Sequence, residues 1–311
     1  MQAGKRNAPV LAATLMLGAM AIIGVIDNVV ILLADTIGLW QFHLSRALLM
    51  LPLIAGLSLI GFGTLRPKRW WPVILRSVLI TLAMLFYFGS LALMPIAQAL
   101  AGLFSAPIFV LLITALGLKQ HIGPWRIGAV IIGFIGILCV LQPSPTDFDV
   151  RTLMPILGGL LYALSSITTR QLCSDESTVA LLANMVITLG VAGAIGLALF
   201  TAFPVATPEG AEGFVTRGLV SEFQPAVPWL LVQAIGSTVA VFMLIKAYQV
   251  GEPSFVAVFE YSVMVFGPLF AWLALGQSIS AMQAVGIGLI ASAGVLLGWR
   301  SSRMQAEQGI A

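Results

Sequence analysis

The side chains most able to do chemistry in this sequence are ionisable groups inside long apolar runs, namely Asp27, His43, Arg46, Arg76 and Glu260. A charged side chain at the centre of a bilayer costs about 2.5–3.5 kcal/mol on insertion scales, so such groups usually face a protein interior or a water-filled cavity. In such a place they bind polar ligands or carry protons. We therefore predict that these residues mark a functional cavity.

A helical rise of about 1.5 Å per residue separates these groups by depth into two sets. Asp27, His43 and Arg46 are expected in the outer half of the membrane, where they can meet, and His43 and Arg46 share one helical face. Arg76 and Glu260 are expected roughly 8–9 Å from the inner face, where they either pair as a gate or are satisfied separately. Asp27, His43 and Glu260 are the candidates for proton coupling.

Aromatic and polar side chains on neighbouring runs can complete a small-molecule pocket, which needs apolar walls and a few placed polar groups. Taken singly, each of them is also consistent with ordinary helix packing. The residues from which we expect substrate contacts are His43, Arg46, Tyr87, Gln98, Phe104, Tyr162, Ser166, Glu260 and Tyr261.

The runs that carry these groups predict an all-α polytopic membrane protein. Of 311 residues, 59% are hydrophobic and 9% are charged, whereas about a quarter of a soluble domain is charged. The first run is too long for a signal peptide and lacks an A-x-A site, so we expect it to remain as a helix. Ten runs are long enough to cross a bilayer, at residues 10–33, 38–60, 71–93, 95–117, 124–142, 152–172, 178–203, 227–249, 254–275 and 281–299.

Basic residues in the connecting segments predict the orientation, because Lys and Arg are enriched on the cytoplasmic side. With a cytoplasmic N terminus, only Arg151 and Arg217 fall outside. We therefore expect both termini in the cytoplasm, and we attribute the net charge of +3 to topology rather than to nucleic-acid binding. The inside segments then hold Lys5, Arg6, Arg66, Lys68, Arg69, Lys119, Arg126, Arg170, Lys246, Arg300 and Arg303.

An internal repeat divides the chain into two related halves. Gly128 and Gly136 recur as Gly286 and Gly294 at an offset of 158 residues. Five spans per half is an odd number, so the second half is inverted relative to the first, which is typical of secondary transporters. The predicted units are a first five-helix repeat at 1–142, an external linker at 143–151, a second five-helix repeat at 152–299 and a cytoplasmic tail at 300–311.

Three local features carry further expectations. Pro107 and Pro268 lie inside the fourth and ninth spans and predict a hinge or a static kink in each. Glycines in the fifth and tenth spans predict close helix packing, either within one chain or between two. The long segment from Pro204 to Pro228 is expected to be a solvated external connector.

No pattern in the sequence indicates an enzyme, a metal site or a cofactor. Two cysteines and two histidines provide neither a disulfide framework nor metal-ligand spacing. The sequence lacks G-x-S-x-G, Walker A and H-E-x-x-H motifs, which argues against hydrolase chemistry and against direct use of ATP.

Several stretches resemble the EamA-type family of the drug/metabolite transporter superfamily. They are ALMPIAQALAGLFSAPIFVLLITALGL with GPWRIGAVIIGFIGILCVLQP in the first half, GGLLYALSSITTRQL and AYQVGEPSFVAVFEYS in the second, FHLSRALL around Arg46 and LRSVLITLAMLFYFGSLALMPIA after Arg76. The family often carries a Gly-Glu pair at its hinges. Here Leu118-Lys119 and Gly276-Gln277 stand instead, so any role of that carboxylate is absent or moved.

The resemblance implies ten helices in two inverted repeats around a central cavity, with transport or export of small metabolites. We therefore predict a secondary transporter in the bacterial inner membrane that moves a small polar metabolite, such as an amino acid or a related amine or carboxylate. Its partners are that substrate and the lipid bilayer, and a monomer and a homodimer are both open. The alternatives are a membrane-embedded enzyme, a lipid-handling protein and a purely structural partner.

Overall fold

The chain folds into helices that are long enough to cross a membrane. A computed structural model describes residues 8–90, 94, 96–143 and 150–307, and within these ranges it contains no strand. Apolar runs take this form because a helix satisfies every backbone polar group internally. The α-helices are α1 Pro9–Ala34, α2 Leu39–Leu59, α3 Trp70–Ser90, α4 Ile96–Leu103, α5 Ala106–Leu112, α6 Pro124–Leu141, α7 Leu153–Leu172, α8 Thr178–Ala202, α9 Val227–Val250, α10 Pro253–Glu260, α11 Val263–Leu275 and α12 Ala281–Glu307.

The predicted ten spans are confirmed within the described part of the chain, with ends that agree to within a few residues. α4 and α5 together form the fourth span, which a short π-helical turn at Ile113–Gly117 completes. α10 and α11 form the ninth span. The last helix continues to Glu307, into the segment predicted as a tail. Residues 144–149 of the predicted linker and residues 308–311 of the tail lie outside the described residues.

The two halves pack as related units. α1 packs along α9 and α3 packs along α7, so the first helix of each half contacts the third helix of the other. α2 packs on α8 and α6 packs on α12, so each of these helices contacts its counterpart. This pattern is unchanged when the halves are exchanged, as expected for two five-helix repeats. From the third span onward, equivalent helices begin 157 residues apart, as Trp70 and Val227 do, which corrects the offset of 158 taken from the glycines.

The fourth helix of each repeat is interrupted in the same way. α4 ends before Phe104 and Ser105, and α10 ends before Tyr261 and Ser262. Pro268 lies inside α11, which continues to Leu275, so the ninth span is not interrupted at this proline. The interruption in the ninth span comes earlier, where a serine hydroxyl and a tight turn replace the helical hydrogen bonds.

The glycines of the fifth and tenth spans pack helices together within one chain. A Cβ on Gly136 would meet the carbonyl oxygen of Gly286 at 2.8 Å, and one on Gly133 would collide with the ring of Tyr261. α6 and α12 therefore approach at backbone distance. Gly288 and Gly298 have nothing within 4 Å of a Cβ, so they face away from this contact.

The segment between α8 and α9 is largely exposed, as expected for a solvated connector, but its middle is anchored to the bundle. Phe214 is buried against the ends of α1 and α2, and its carbonyl accepts from Leu39 N at 2.7 Å. Arg217 donates to the carbonyls of Ala34 at 2.6 Å and Ile37 at 3.1 Å. A guanidinium at the carboxyl end of α1 satisfies acceptors that the helix leaves free and complements its dipole. The segment thus ties together the helix ends beneath it.

Ion pairs and buried polar groups link the connecting segments on the side where the chain begins. Arg126 binds Glu252. Both carboxylate oxygens of Glu176 accept from backbone N–H groups, at 2.7 Å from Lys68 and 2.9 Å from Arg69. These contacts hold segments of both repeats together at this end of the bundle.

Candidate functional site

A cavity of about 250 Å³ lies between the two repeats. Its walls come from α1, α2, α3 and α4 of the first half and from α7, α8, α9 and α10 of the second, together with the first residues of α5 and α11. The volume lies just below the roughly 300–1,000 Å³ that is typical of small-molecule sites. A cavity bounded by both repeats is also where secondary transporters hold their substrates.

Equivalent positions of the two repeats line opposite walls. The pairs differ in chemistry, because at most of them only one member is charged, polar or aromatic. Each pair is separated by 157 residues: Arg76 and Gln233, Ile80 and Ser237, Met84 and Val241, Tyr87 and Leu244, Phe88 and Ile245, Leu103 and Glu260, and Ala106 and Val263.

Glu260 is held by two tyrosines. The Tyr162 hydroxyl donates to Glu260 Oε1 at 2.8 Å, and the Tyr248 hydroxyl donates to the same oxygen at 2.7 Å. Ser166 lines the same cavity. Glu260 is 4% exposed, and its Oε2 receives no hydrogen bond from the residues that the structure describes. The carboxylate is therefore fixed in position with one oxygen free to accept from a ligand.

Arg76 is buried and lines the same cavity as Glu260, but its donors are satisfied by other groups. Its Nε donates to Thr169 Oγ1 at 3.1 Å, and its Nη1 donates to the Leu181 carbonyl at 3.3 Å. Within the described residues no ion pair joins Arg76 to Glu260, so the gate pair considered from the sequence does not form. The physical reason is that each group already has neutral partners of its own.

Asp27, His43 and Arg46 come together, as their depths predicted. Asp27 and Arg46 both line the cavity and interact electrostatically, but in the described part of the chain no ion pair of 4.0 Å or less joins them. The Arg46 guanidinium lies over the Phe42 ring, 4.9 Å from its centroid, and its Nη2 is 3.5 Å from His43 Nδ1. Arg46 is thus held from behind by two side chains of its own helix.

His43 does not line the main cavity. It is 1% exposed and borders a separate pocket of about 20 Å³ on the far side of Arg46. Its Nε2 has no hydrogen-bond partner among the described residues. The structure therefore places His43 as a contact of Arg46 and of the Phe88 ring, whose centroid is 5.0 Å away.

Most of the predicted site residues line one cavity, but two others lie outside it. Tyr261 packs between α6 and α12 because it follows Glu260, and successive helical residues point about 100° apart. Gln98 is buried in α4 away from the lining. The residues that do line the cavity are Asp27, Arg46, Arg76, Tyr87, Phe104, Tyr162, Ser166 and Glu260.

Tyr248 is a site residue that the sequence prediction missed, as is Phe88. Tyr248 lies two residues from the end of α9, where a tyrosine is commonly an interfacial anchor. The chain contains four tyrosines, and the other three were expected at the site. Its sequence separation from Glu260 could have indicated the contact. The two residues are twelve positions apart, and a short connection between α9 and α10 brings them together.

Comparison with known proteins gives concordant matches. The profile of the EamA-like transporter family matches residues 152–299. A riboflavin transporter of Rhizobium johnstonii is 28% identical over 83% of this chain and 78% of its own length. An S-adenosylmethionine uptake transporter of Rickettsia bellii is 24% identical over 78% of this chain and 75% of its own length.

A solved structure supports the fold alone. It superposes with a TM-score of 0.72 over 94% of this chain and 98% of its own, at 15% sequence identity. In the described part of the chain, no group of three or more His, Cys, Asp or Glu side chains could hold a metal ion.

Proposed function

Since this chain belongs to the EamA-like transporter family of the drug/metabolite transporter superfamily, we propose that it takes up a planar heteroaromatic metabolite of the riboflavin class by alternating access. It is a multi-pass membrane protein of bacterial type that transports a small metabolite, and it is not an enzyme. Uptake would occur across the inner membrane, with both termini in the cytoplasm as the basic residues predict.

The observation that carries this proposal is the chemistry of the cavity. Rings of Tyr87, Phe88, Phe104, Tyr162 and Tyr248 supply flat apolar walls. Such walls suit a fused aromatic ring system, since aromatic rings pack by offset stacking and edge contacts.

Polar groups at two depths match the edges of such a ring. Glu260 Oε2 can accept from a ring N–H or a side-chain hydroxyl of the substrate, while Arg46 can donate to a ring carbonyl. Riboflavin offers both kinds of edge and carries no charge at neutral pH. The relatives' names favour this class of molecule over the amino acid and the export direction considered from the sequence.

S-adenosylmethionine is the second candidate. The Rickettsia relative is named for its uptake, and the cavity contains two carboxylates, Asp27 and Glu260, that could attract its positive charge. The two guanidinium groups of Arg46 and Arg76 offset that attraction, which is why we rank riboflavin first.

Uptake into proteoliposomes tests the proposal. Purified protein should accumulate labelled riboflavin, and excess unlabelled riboflavin should compete better than S-adenosylmethionine, amino acids or sugars. Glu260→Gln should lose uptake by about tenfold or more, since a hydrogen bond to a charged group is worth about 1.5–3 kcal/mol. Tyr261→Phe is the matched control, because it alters a neighbouring tyrosine outside the cavity. Uptake of labelled S-adenosylmethionine but not of labelled riboflavin would select the second candidate, and uptake of neither would refute the proposed class.

A further inference from the structure

The cavity contains two carboxylates whose surroundings differ. Resting on the transport function proposed above, we propose that Asp27, and not Glu260, binds and releases the proton that drives uptake. Glu260 then serves the substrate alone.

The hydrogen bonds of the two groups distinguish their roles. Glu260 accepts hydrogen bonds from two tyrosine hydroxyls, which stabilise its negative charge and hold the carboxylate in place. Asp27 accepts no hydrogen bond and forms no ion pair within the residues that the structure describes. Asp27 is exposed to the cavity, where a proton can reach it. Proton binding lowers the cost of holding a carboxylate without such partners inside a membrane span.

The neighbours of Asp27 couple it to the relative position of the repeats. The carbonyl of Ile26, one residue before it, accepts from Gln233 Nε2 on α9. The side chain of Asn28, one residue after it, lies 3.4 Å from the Gly267 carbonyl on α11. Asp27 therefore sits where the first repeat is attached to the second. A rocking motion of one repeat against the other must change its surroundings.

Few other ionisable groups face Asp27. α2 presents Arg46 and α3 presents Tyr87, and both interact with it electrostatically. Two helices packed on α1 also line the cavity. α9 contributes the neutral Gln233 and Ser237 and, nearer its end, Tyr248, and α10 contributes Glu260. In the described residues, α11 and α12 add no ionisable side chain to the cavity.

A transport cycle follows with one proton per turnover. A proton from outside forms an O–H bond with an Asp27 carboxylate oxygen, which removes the negative charge opposite Arg46. The guanidinium, which no longer faces a negative charge across the cavity, then binds a substrate carbonyl. After the repeats rock and the substrate leaves, Arg46 again attracts the carboxylate, the O–H bond breaks, and the proton is released to the cytoplasm.

Riboflavin transport by proteoliposomes under two regimes tests this assignment. Under an inward proton gradient, the unaltered protein should accumulate riboflavin, and Asp27→Asn should lose that gradient-driven accumulation. The same variant should still exchange labelled for unlabelled riboflavin, because exchange needs no net proton movement. Asp27→Glu should restore part of the accumulation. Asp35→Asn, which neutralises an exposed carboxylate at the end of the same helix, should behave as the unaltered protein.

The outcomes separate this inference from the function on which it rests. Gradient-driven accumulation by Asp27→Asn, or accumulation by the unaltered protein that ignores the gradient, overturns the proton role and leaves riboflavin transport standing. Failure of the unaltered protein to exchange riboflavin refutes the proposed substrate instead. In that case the pH dependence of thermal unfolding decides, since it should flatten in Asp27→Asn relative to the unaltered protein. Identical profiles would overturn the inference.

Discussion

The fourth and ninth spans have the same backbone geometry and different chemistry. At each break a serine N–H donates to the carbonyl three residues earlier at 3.2 Å, from Ser105 to Gly102 and from Ser262 to Phe259. Each serine hydroxyl donates to the same carbonyl at 2.6 Å. Directly before the break, however, the first repeat carries a leucine where the second carries Glu260.

This comparison separates what the repeat determines from what it does not. The shared turn and serine bonds recur with the five-helix repeat, and they build a symmetric frame around the cavity. Single substitutions on that frame then give one wall an acceptor and leave the other apolar. A ligand with two unlike edges can therefore bind in only one orientation.

The largest expected effect comes from erasing this difference. Glu260→Leu puts a leucine in the second repeat at the position equivalent to Leu103 of the first. It also leaves two tyrosine hydroxyls without their acceptor. We expect loss of measurable riboflavin binding in equilibrium titrations. Leu103→Met, a volume-conserving change on the opposite wall, should retain binding. Equal losses in both variants would show that the wall chemistry is not what matters.

Two buried tyrosines sharpen the comparison within the ninth span. Tyr248→Phe removes one donor to Glu260 and should weaken riboflavin binding by about 1.5–3 kcal/mol, or roughly tenfold to a hundredfold. Tyr261→Phe removes a hydroxyl that has no partner among the described residues, so binding should be unchanged. A larger loss of binding in Tyr261→Phe than in Tyr248→Phe would mean that the substrate lies on the side of the helix that faces α6 and α12, which would contradict the proposed site.

The free energy of unfolding measures how much the packing around the ninth-span break stabilises the protein. Tyr261 packs against Gly133, whereas its counterpart Phe104 lines the cavity. Gly133→Ala should lower the free energy of unfolding by about 1–3 kcal/mol because the added methyl group overpacks the contact. Gly128→Ala on the same helix has nothing within 4 Å and should be neutral or slightly stabilising. Thermal unfolding in detergent measures both.

The smallest expected effect concerns the serines. Ser105→Ala and Ser262→Ala each remove one hydroxyl bond of the same length and should each cost about 0.5–1.5 kcal/mol of stability. The two losses, measured by the same unfolding assay, should agree. A clear inequality would mean that the breaks are not equivalent in energy, despite their common geometry.

Hydropathy and length predicted the helices of this chain well, because in lipid a long apolar run has essentially one way to satisfy its backbone. The position of the ninth-span break was not predictable in this way. Pro268 was the evident local signal, yet the interruption depends on Ser262 bonding a carbonyl in its own turn. A proline can remain inside a membrane helix when neighbouring groups satisfy the freed carbonyl.

The candidate site was predictable only in part. Counting residues gives the depth of a side chain but not its rotation about the bundle, so Arg76 and Glu260 were placed at one depth without evidence that they face each other. Asp27 and Arg46 were found because charges inside spans are rare. Tyr248 was missed because its role depends on a contact between two helices.

Cysteine protection tests the central claim, that substrate binds between equivalent positions of the two repeats. Met84→Cys and Val241→Cys place thiols on opposite walls, in a chain whose Cys139 and Cys173 are replaced by alanine. Riboflavin should slow alkylation by a membrane-permeant maleimide at both positions. Unchanged alkylation at either position in the presence of saturating riboflavin would contradict a site shared by the repeats.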